Sequence, residues 1–390
     1  MIEKYNTTNA KSLESYLQYA PEYITKGEGV YVYDTYGNKF LDFGMTLGCI
    51  SIGYCCKEID DFVIKSIKNG VNFSRPSTLE KETAIHILND FDSKDYIIRY
   101  SKSSSMLLNI IPRLCRHITN NSYIAYPVGT YLGNTDWYLS HCLNNSGILN
   151  EIKETTLVFK PGEIADIENL FSSYGDNLAC IIMEPFRNEI FSDSYYLKLR
   201  RLCDKYKTIL VFDETISGYR FGYPLAQNKI NCKADITVIG KAISNGYSFS
   251  AAIIQENLME IDSSKIYTFS TTHAGEITGL AATIATLEFY RKHNVFDNIN
   301  KKGCFLLNGL KDIVRQQRLE KIIFIAGMPT YFRIEFNNLE FKNKFCHVFF
   351  KNNILCRGII SICYMHSYEH IEYFINVFKK FCLEINGEVL

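Results

Sequence analysis

Five short apolar runs, separated by stretches with helical periodicity, constrain the fold of this 390-residue chain more than any other feature. Amphipathic stretches such as residues 194–206 lie between the runs. The runs themselves span residues 96–100, 122–126, 179–183, 208–212 and 235–239. Strands and helices that alternate in this way form a mainly parallel sheet, because each crossover helix packs on a face of the sheet. The pattern therefore predicts an α/β fold with helices on both faces of the sheet.

The segments on either side of this region predict a second, smaller domain. Residues 29–43 alternate apolar and polar side chains around Gly37, which is typical of a β-hairpin. Residues 275–293 form a long helical stretch that closes the alternating region, and short strands such as 330–336 follow it among helices. We therefore expect an N-terminal arm and hairpin at 1–56, a large domain at 57–293 and a C-terminal α+β portion of the small domain at 294–390.

Composition excludes several classes of function. Lys+Arg and Asp+Glu are both 42, so the chain lacks the basic surplus expected of a protein that binds nucleic acid or an anionic membrane. The thirteen cysteines include no Cys-x-x-Cys pair, which predicts no metal site and reduced thiols. The N-terminus is polar and no apolar run has the length of a membrane span, so we expect a cytoplasmic protein.

Charged residues lie within two positions of the ends of three of the apolar runs. Glu184 follows the run at 179–183, Asp213 and Glu214 follow the run at 208–212, and Lys241 follows the last run. Parallel strands place their carboxyl ends, and the residues after them, at one edge of the sheet. Asp213 alone is equally well explained as a helix cap, and Lys241 alone as a solvated loop residue. Together they predict a site with a buried carboxylate and a reactive amine.

Pyridoxal phosphate is a cofactor that needs such a pair. It requires a lysine for a Schiff base, a carboxylate beside the pyridine nitrogen and an anion site for the phosphate. Lys241 and Asp213 suit the first two requirements. Three serines, Ser103 to Ser105, precede a helical stretch and offer free backbone N–H groups to a phosphate, although an ordinary serine N-cap explains them as well.

Several collinear motifs resemble the class III pyridoxal-phosphate aminotransferases, in the branch around glutamate-1-semialdehyde aminomutase. The most specific pair is "ILVFDETISGYRFG" followed by "DITVIGKAISNG". Four further motifs resemble the family's hairpin, Glu-Pro strand end, phosphate loop and C-terminal helix entry: "VYVYDTYGNKFLDF", "IIMEPF", "YTFSTTHAGEITGLAA" and "YMHSYEHIEYFINVF". The resemblance covers nearly the whole chain and implies the fold type I of pyridoxal-phosphate-dependent transferases, with pyridoxal 5'-phosphate as cofactor.

The resemblance also implies roles for the residues that bind the ring. Lys241 would hold the cofactor as a Schiff base and shuttle a proton, and Asp213 would pair with the pyridine nitrogen. Tyr131, in "GTYLG", would stack on the ring. Glu184 and Glu214 match carboxylates that lie near the ring in the family.

The phosphate site departs from the family pattern. The family's Ser-Gly-Thr-Glu-Ala turn corresponds to "SSSML", where Ser104 and Ser105 would donate through backbone and hydroxyl groups and Met106 replaces the glutamate. Lys102 is the nearest cation in the sequence. Thr268 matches a threonine that reaches the phosphate of the neighbouring subunit, which implies a homodimer with shared active sites.

The substrate is inferred from two further departures. The loop 270–276 is closer to the version found in aminotransferase-like members linked to cell-surface polysaccharide synthesis, and Leu47 replaces a family tryptophan. We therefore expect an aminotransferase that moves an amino group from an amino acid, glutamate in the first instance, to a carbonyl on a small or nucleotide-linked metabolite. A glutamate-1-semialdehyde-type 2,1-aminomutase is the alternative, since it uses the same residues. A catalytically inactive binding subunit of the same fold is the third reading.

Overall fold

The computed structural model describes residues 19–91, 95–142, 145–259 and 269–389. The strands are β1 Ile24–Glu28, β2 Tyr31–Asp34, β3 Lys39–Asp42, β4 Tyr96–Ser101, β5 Tyr123–Pro127, β6 Thr156–Phe159, β7 Leu178–Met183, β8 Ile209–Glu214, β9 Ile236–Gly240, β10 Ser250–Gln255, β11 Ile323–Met328, β12 Tyr331–Phe336, β13 Ile354–Leu355 and β14 Ile359–Ser361. The α-helices are α1 Lys57–Ile67, α2 Thr78–Leu88, α3 Ser104–Thr119, α4 Asp136–Leu139, α5 Asn150–Glu154, α6 Ile164–Tyr174, α7 Asp193–Tyr206, α8 Ile277–Lys292, α9 Val295–Gln316, α10 Leu339–Lys351 and α11 Tyr368–Val389. Short 3₁₀ helices span Gly175–Asn177, Ala226–Lys229, Lys241–Ser244 and Glu256–Met259.

A seven-stranded sheet forms the centre of the unit that comprises residues 58–293. Its strand order is β4-β10-β9-β8-β7-β5-β6, and only β10 runs antiparallel to its neighbours. The predicted mainly parallel α/β sheet is thus confirmed. Five of the seven strands coincide with the predicted apolar runs, while β6 and β10 were not predicted.

The residues of β8 and β9 that face helix α3 show to which side of the sheet Asp213 points. Helix α3 packs its apolar side on this face, where the inward residues of β8 include Ile209 and Val211 and those of β9 include Ile236 and Val238. Side chains alternate along a strand, so Asp213 continues the β8 row two residues after Val211. Asp213 therefore lies on the α3 side of the sheet, at its carboxyl edge.

Helix α8 supports the segment that follows β9. It is buried along most of its length, and it packs against α2 and the 3₁₀ helix Lys241–Ser244. The Tyr290 hydroxyl of α8 donates a hydrogen bond of 2.9 Å to the carbonyl oxygen of Ala242. This confirms the long helix predicted at 275–293 and shows that it fixes the backbone immediately after Lys241.

The second unit combines the described residues 19–57 with residues 294–389. The predicted hairpin is confirmed as β2 and β3, which pair antiparallel, and β13 from the C-terminal segment pairs parallel with β3. A separate three-stranded sheet has the order β11-β12-β14. The chain passes from one unit to the other at 57/58 and at 293/294. The predicted domains, with their boundaries at 56/57 and 293/294, stay a prediction.

The chain after β3 makes an unusual left-handed turn in this second unit. Met45, Thr46 and Leu47 all have positive φ angles, of 43°, 51° and 55°. The Asp42 carboxylate accepts hydrogen bonds from the backbone N–H groups of Gly44 and Met45 and from the Tyr54 hydroxyl. These bonds offset a backbone conformation that costs about 1–2 kcal/mol per non-glycine residue.

Within the described residues, no helix has the combination of length and apolar character that a membrane span needs.

Candidate active site

Three neighbouring strands bring their polar residues to one edge of the sheet. β7, β8 and β9 are parallel, so Glu184, Asp213 and Lys241 all lie at the carboxyl edge, at or just after the ends of their strands. The pairing of Met183 with Phe212 sets Glu184 level with Asp213. The structure thus brings together three of the residues that the sequence predicts for the site.

Asp213 is a buried carboxylate within electrostatic reach of Lys241. Only 5% of its surface is exposed, and burial raises the pKa of its carboxyl group. The opposing influences are hydrogen bonds from the backbone N–H and the hydroxyl of Thr215, followed by the positive charges of Lys241 and Arg187, which lower this pKa. A further cation beside this carboxylate would stabilise its ionised form, and a protonated pyridine nitrogen would provide that cation.

The backbone at Lys241 has a left-handed conformation. Its φ angle is +50°, which is uncommon for a residue with a side chain and costs about 1–2 kcal/mol. The hydrogen bond from Tyr290 to Ala242 and one of 2.6 Å from the Ser244 hydroxyl to the Tyr247 carbonyl hold the following turn. Strain that is maintained by surrounding contacts is a frequent property of functional residues.

Glu184 forms an ion pair that sequence reasoning missed. Its Oε2 lies 3.3 Å from Nη1 of Arg187, with 7% of the Glu184 side chain and 21% of the Arg187 side chain exposed. Arg187 follows Glu184 by three residues in the loop after β7, and its charge also reaches Asp213. An arginine so soon after a strand-end carboxylate is the sequence signal that could have predicted this pair.

Glu214 does not lie with Asp213, although the two are adjacent in sequence. Successive side chains of a strand point to opposite faces, so Glu214 lies on the face away from α3. Its carboxylate accepts hydrogen bonds from the backbone N–H groups of Ala226 (2.6 Å) and Gln227 (3.0 Å) and from the Ser217 hydroxyl (3.2 Å). The structure therefore gives Glu214 a role in holding the loop after β8, and contact with the ring stays a prediction from the resemblance.

Burial also makes Glu214 a source of pH-dependent stability. It raises the pKa of Glu214 from 4.5 to about 7, against the opposing influence of the N–H donors. The folded protein therefore binds a proton that the unfolded chain releases, so this stabilisation is complete below about pH 4.5 and is lost as the pH rises through about 7. We expect the free energy of unfolding of the wild type to fall relative to that of Glu214→Gln as the pH rises over this range, by at most about 3 kcal/mol.

Urea unfolding at about pH 5 and about pH 8 measures this difference. The matched control is Glu168→Gln, which changes an exposed carboxylate paired with Lys198 and should show a smaller dependence on pH. If the free energy of unfolding of the wild type instead rose with pH relative to that of Glu214→Gln, the expectation would be contradicted.

The serine turn opens helix α3 without a side-chain cap. Ser103 occupies the N-cap position but makes no capping hydrogen bond, and the first turn contains no acidic residue. The first N–H groups of a helix have no partner within the helix, and its dipole favours an anion at this end. Lys102 does not serve this turn, because its Nζ lies 2.5 Å from Oε2 of Glu276, the N-cap of α8. Within the described residues of this turn, a phosphate would therefore meet neutral donors.

Ser105 and Tyr131 lie in adjoining segments. A Cβ atom added to Gly133 would lie 3.0 Å from Oγ of Ser105, so only glycine at this position allows the loop 129–133 to approach the turn so closely. Tyr131 in this loop is 64% exposed, which leaves its ring available for stacking. The buried carboxylate, the lysine, the uncapped helix start and this ring together fit the donor set that pyridoxal phosphate requires.

Thr268 lies outside the described residues. Among the residues that the structure does describe, no group of three or more His, Cys, Asp or Glu side chains is arranged to hold a metal ion.

Comparison with known families decides what kind of protein carries this site. The family model described as aminotransferase class-III matches residues 16–377. The chain belongs to this family. The predicted family, the fold class and the enzyme class are thereby confirmed, and membership of the class-III aminotransferases supports pyridoxal phosphate as the cofactor.

Relatives of this class-III aminotransferase include glutamate-1-semialdehyde 2,1-aminomutases. The protein from Clostridium botulinum (strain Alaska E43 / Type E3) is 26% identical over 397 residues, covering 93% of this chain and 92% of the relative. The one from Francisella tularensis subsp. tularensis (strain WY96-3418) is 28% identical over 408 residues, with coverage of 96% and 94%.

Solved structures show the same fold. A transaminase with PLP bound has a TM-score of 0.85 at 20% identity, covering 98% of this chain and 99% of that one. A glutamate-1-semialdehyde-aminomutase from Pseudomonas aeruginosa PAO1 has a TM-score of 0.82 at 16% identity, with coverage of 94% and 88%. At these identities the likeness establishes the architecture and leaves the reaction to be argued from the site.

Proposed function

We propose that this class-III aminotransferase uses pyridoxal 5'-phosphate to move an amino group from an amino-acid donor, glutamate in the first instance, to a carbonyl on a small or nucleotide-linked metabolite. The observation that carries the proposal is the buried Asp213, within reach of the charge of Lys241, at the edge of a parallel sheet. The biosynthesis of surface polysaccharide, in the cytoplasm, is the proposed setting. Residues 57–293 would form the cofactor domain, and 1–56 with 294–390 the small domain.

The residues of the chain divide the chemistry among them. When bound, pyridoxal phosphate supplies an aldehyde and an electron-withdrawing ring that stabilises negative charge on the substrate carbon. Asp213 would keep a proton on the pyridine nitrogen, and Nζ of Lys241 would hold the aldehyde and then move a proton at the substrate carbon. Tyr131 would stack on the ring. The first N–H groups of α3, with Ser105, would bind the phosphate.

A 2,1-aminomutase is the second candidate, because the two relatives described above carry that name. An aminotransferase releases one oxo acid for each donor that it consumes, whereas an aminomutase rearranges its substrate and releases none. We favour the aminotransferase because the loop 270–276 and Leu47 depart from the aminomutase pattern.

Oxo-acid release separates the two candidates and the inactive reading. The purified protein, loaded with pyridoxal phosphate, is mixed with glutamate while the visible absorption band and 2-oxoglutarate are followed. The proposal expects the band to bleach with one equivalent of 2-oxoglutarate per site. No release with glutamate, but rearrangement of glutamate-1-semialdehyde, would replace the proposal with the aminomutase. No spectral change with either compound would favour a binding subunit.

We also propose a homodimer in which Thr268 reaches the phosphate bound by the partner subunit. Thr268→Val keeps the shape of the side chain and removes one donor, so cofactor binding should weaken by about 1.5–3 kcal/mol, the value of a hydrogen bond to a charged group. Sedimentation combined with cofactor absorbance measures this, since dilution into the monomer range should release cofactor in parallel. A monomer that retains the cofactor as tightly as the dimer would contradict the shared site.

A further inference from the structure

The hydroxyl of Ser104 points into the sheet and is already committed there. Its Oγ lies 2.9 Å from Oγ of Ser250 on β10, and the Ser250 hydroxyl lies 2.6 Å from the carbonyl oxygen of Ile239. A serine hydroxyl has one proton, which Ser250 gives to Ile239. The proton in the first bond must therefore come from Ser104, so this hydroxyl has none left to give to a phosphate.

The packing around this bond reaches the residue before Lys241. In the sheet Ser250 pairs directly with Gly240, the last residue of β9. A Cβ atom added to Gly240 would lie 2.6 Å from Oγ of Ser104, so the hydroxyl occupies space that only glycine leaves open. The two hydrogen bonds and this contact join the first turn of α3 to β9, the strand that ends just before Lys241.

Ser105, the next residue, is in a different situation. Its side chain is half-buried, and its hydroxyl makes no hydrogen bond to any other residue that the structure describes. Its side chain lies against Gly133, which belongs to the loop that also carries Tyr131. Ser105 therefore retains a proton that it can donate.

We propose that Ser104 is a positioning residue. Its hydroxyl acts through Ser250 and Ile239 to fix the start of α3 against β9, and so does not bind the cofactor phosphate, the role already given to Ser105. The inference rests on the proposed function for the role of the turn. Ser104 and Ser105, for which the sequence predicts the same role, thus have different roles. Backbone N–H groups of both residues remain donors to the phosphate.

A double-substitution cycle without cofactor tests the positioning role. We expect Ser104→Ala to lower the melting temperature of the apoprotein by roughly 2 °C, the effect of one buried hydrogen bond in a chain of this size. In a Ser250→Ala background the same change should have no further effect, because the bond is already absent. Ser105→Ala should leave the melting temperature of the apoprotein unchanged. Ser101→Ala is the matched control, since the buried Ser101 hydroxyl has no hydrogen-bond partner among the described residues.

Titration of the same apoproteins with pyridoxal phosphate tests the ligand role. Ser105→Ala should raise the dissociation constant at least about tenfold, as expected for loss of a hydrogen bond to a charged group. A tenfold rise in Ser104→Ala that persists in the Ser250→Ala background, with no change in apoprotein melting, would overturn the proposal. Borohydride reduction of the wild type followed by peptide mass spectrometry tests the proposed function separately. If that function were wrong, no cofactor adduct would be found on Lys241.

Discussion

Replacement of Lys241 by alanine is expected to leave the fold intact and to abolish turnover. Lys241 follows the buried strand β9, and its backbone is held by contacts from Tyr290 and Ser244 that the substitution does not touch. The variant lacks the amine that would hold the cofactor and move the proton. Loss of the proton-transfer role alone costs about 10²–10⁴-fold, and loss of the covalent anchor adds to it.

Borohydride reduction followed by peptide mass spectrometry locates the anchor directly. In the wild type the cofactor adduct should lie on Lys241, and circular dichroism should show the same fold in Lys241→Ala. Lys198→Ala is the control, because Lys198 is an exposed lysine paired with Glu168 and should retain full turnover. An adduct on any other lysine would end this assignment.

The second large effect is expected at Asp213. Asp213→Asn replaces the carboxylate with a neutral amide, which cannot stabilise a proton on the pyridine nitrogen. Cofactor should still bind, because the phosphate donors and Lys241 are unchanged. The rate should fall by about 100- to 1,000-fold, the usual consequence of removing one electrostatic partner of a developing charge.

Single-turnover absorbance measurements on Asp213→Asn separate binding from rate. Asp204→Asn is the matched control, since Asp204 is 62% exposed and forms a surface ion pair with Arg200. A near-normal rate in Asp213→Asn would mean that this carboxylate only organises Thr215 and the turn that follows β8.

The sequence predicted the strands that form strongly apolar runs and missed those that do not. β7, β8 and β9 consist entirely of buried residues, and long apolar runs are distinctive in a sequence. β6 has four residues at the edge of the sheet, and β10 begins with a serine and two alanines. Neighbouring strands stabilise such segments, and a single sequence does not reveal these contacts.

In the candidate site, the sequence likewise predicted the residues at strand ends but not the side-chain contacts between distant parts of the chain. The positions of Lys241 and Asp213 follow from strand ends, which the apolar runs reveal. The pairing of Lys102 with Glu276 joins residues 174 positions apart. The bond between Ser104 and Ser250 spans 146 positions. The resemblance predicts both Asp213 and Glu214 near the ring, whereas the alternation of a strand places their side chains on opposite faces of the sheet.

The uncapped start of α3 has a consequence for the lifetime of the protein in a cell. A phosphate that fills this position would complete the end of the helix and so bind only the folded chain. Such a ligand stabilises the folded state by about 2.7 kcal/mol when its free concentration is 100 times its dissociation constant. Newly made chains would then be better protected from proteolysis when free cofactor is plentiful, so the supply of cofactor would affect the amount of folded protein in the cell as well as its activity.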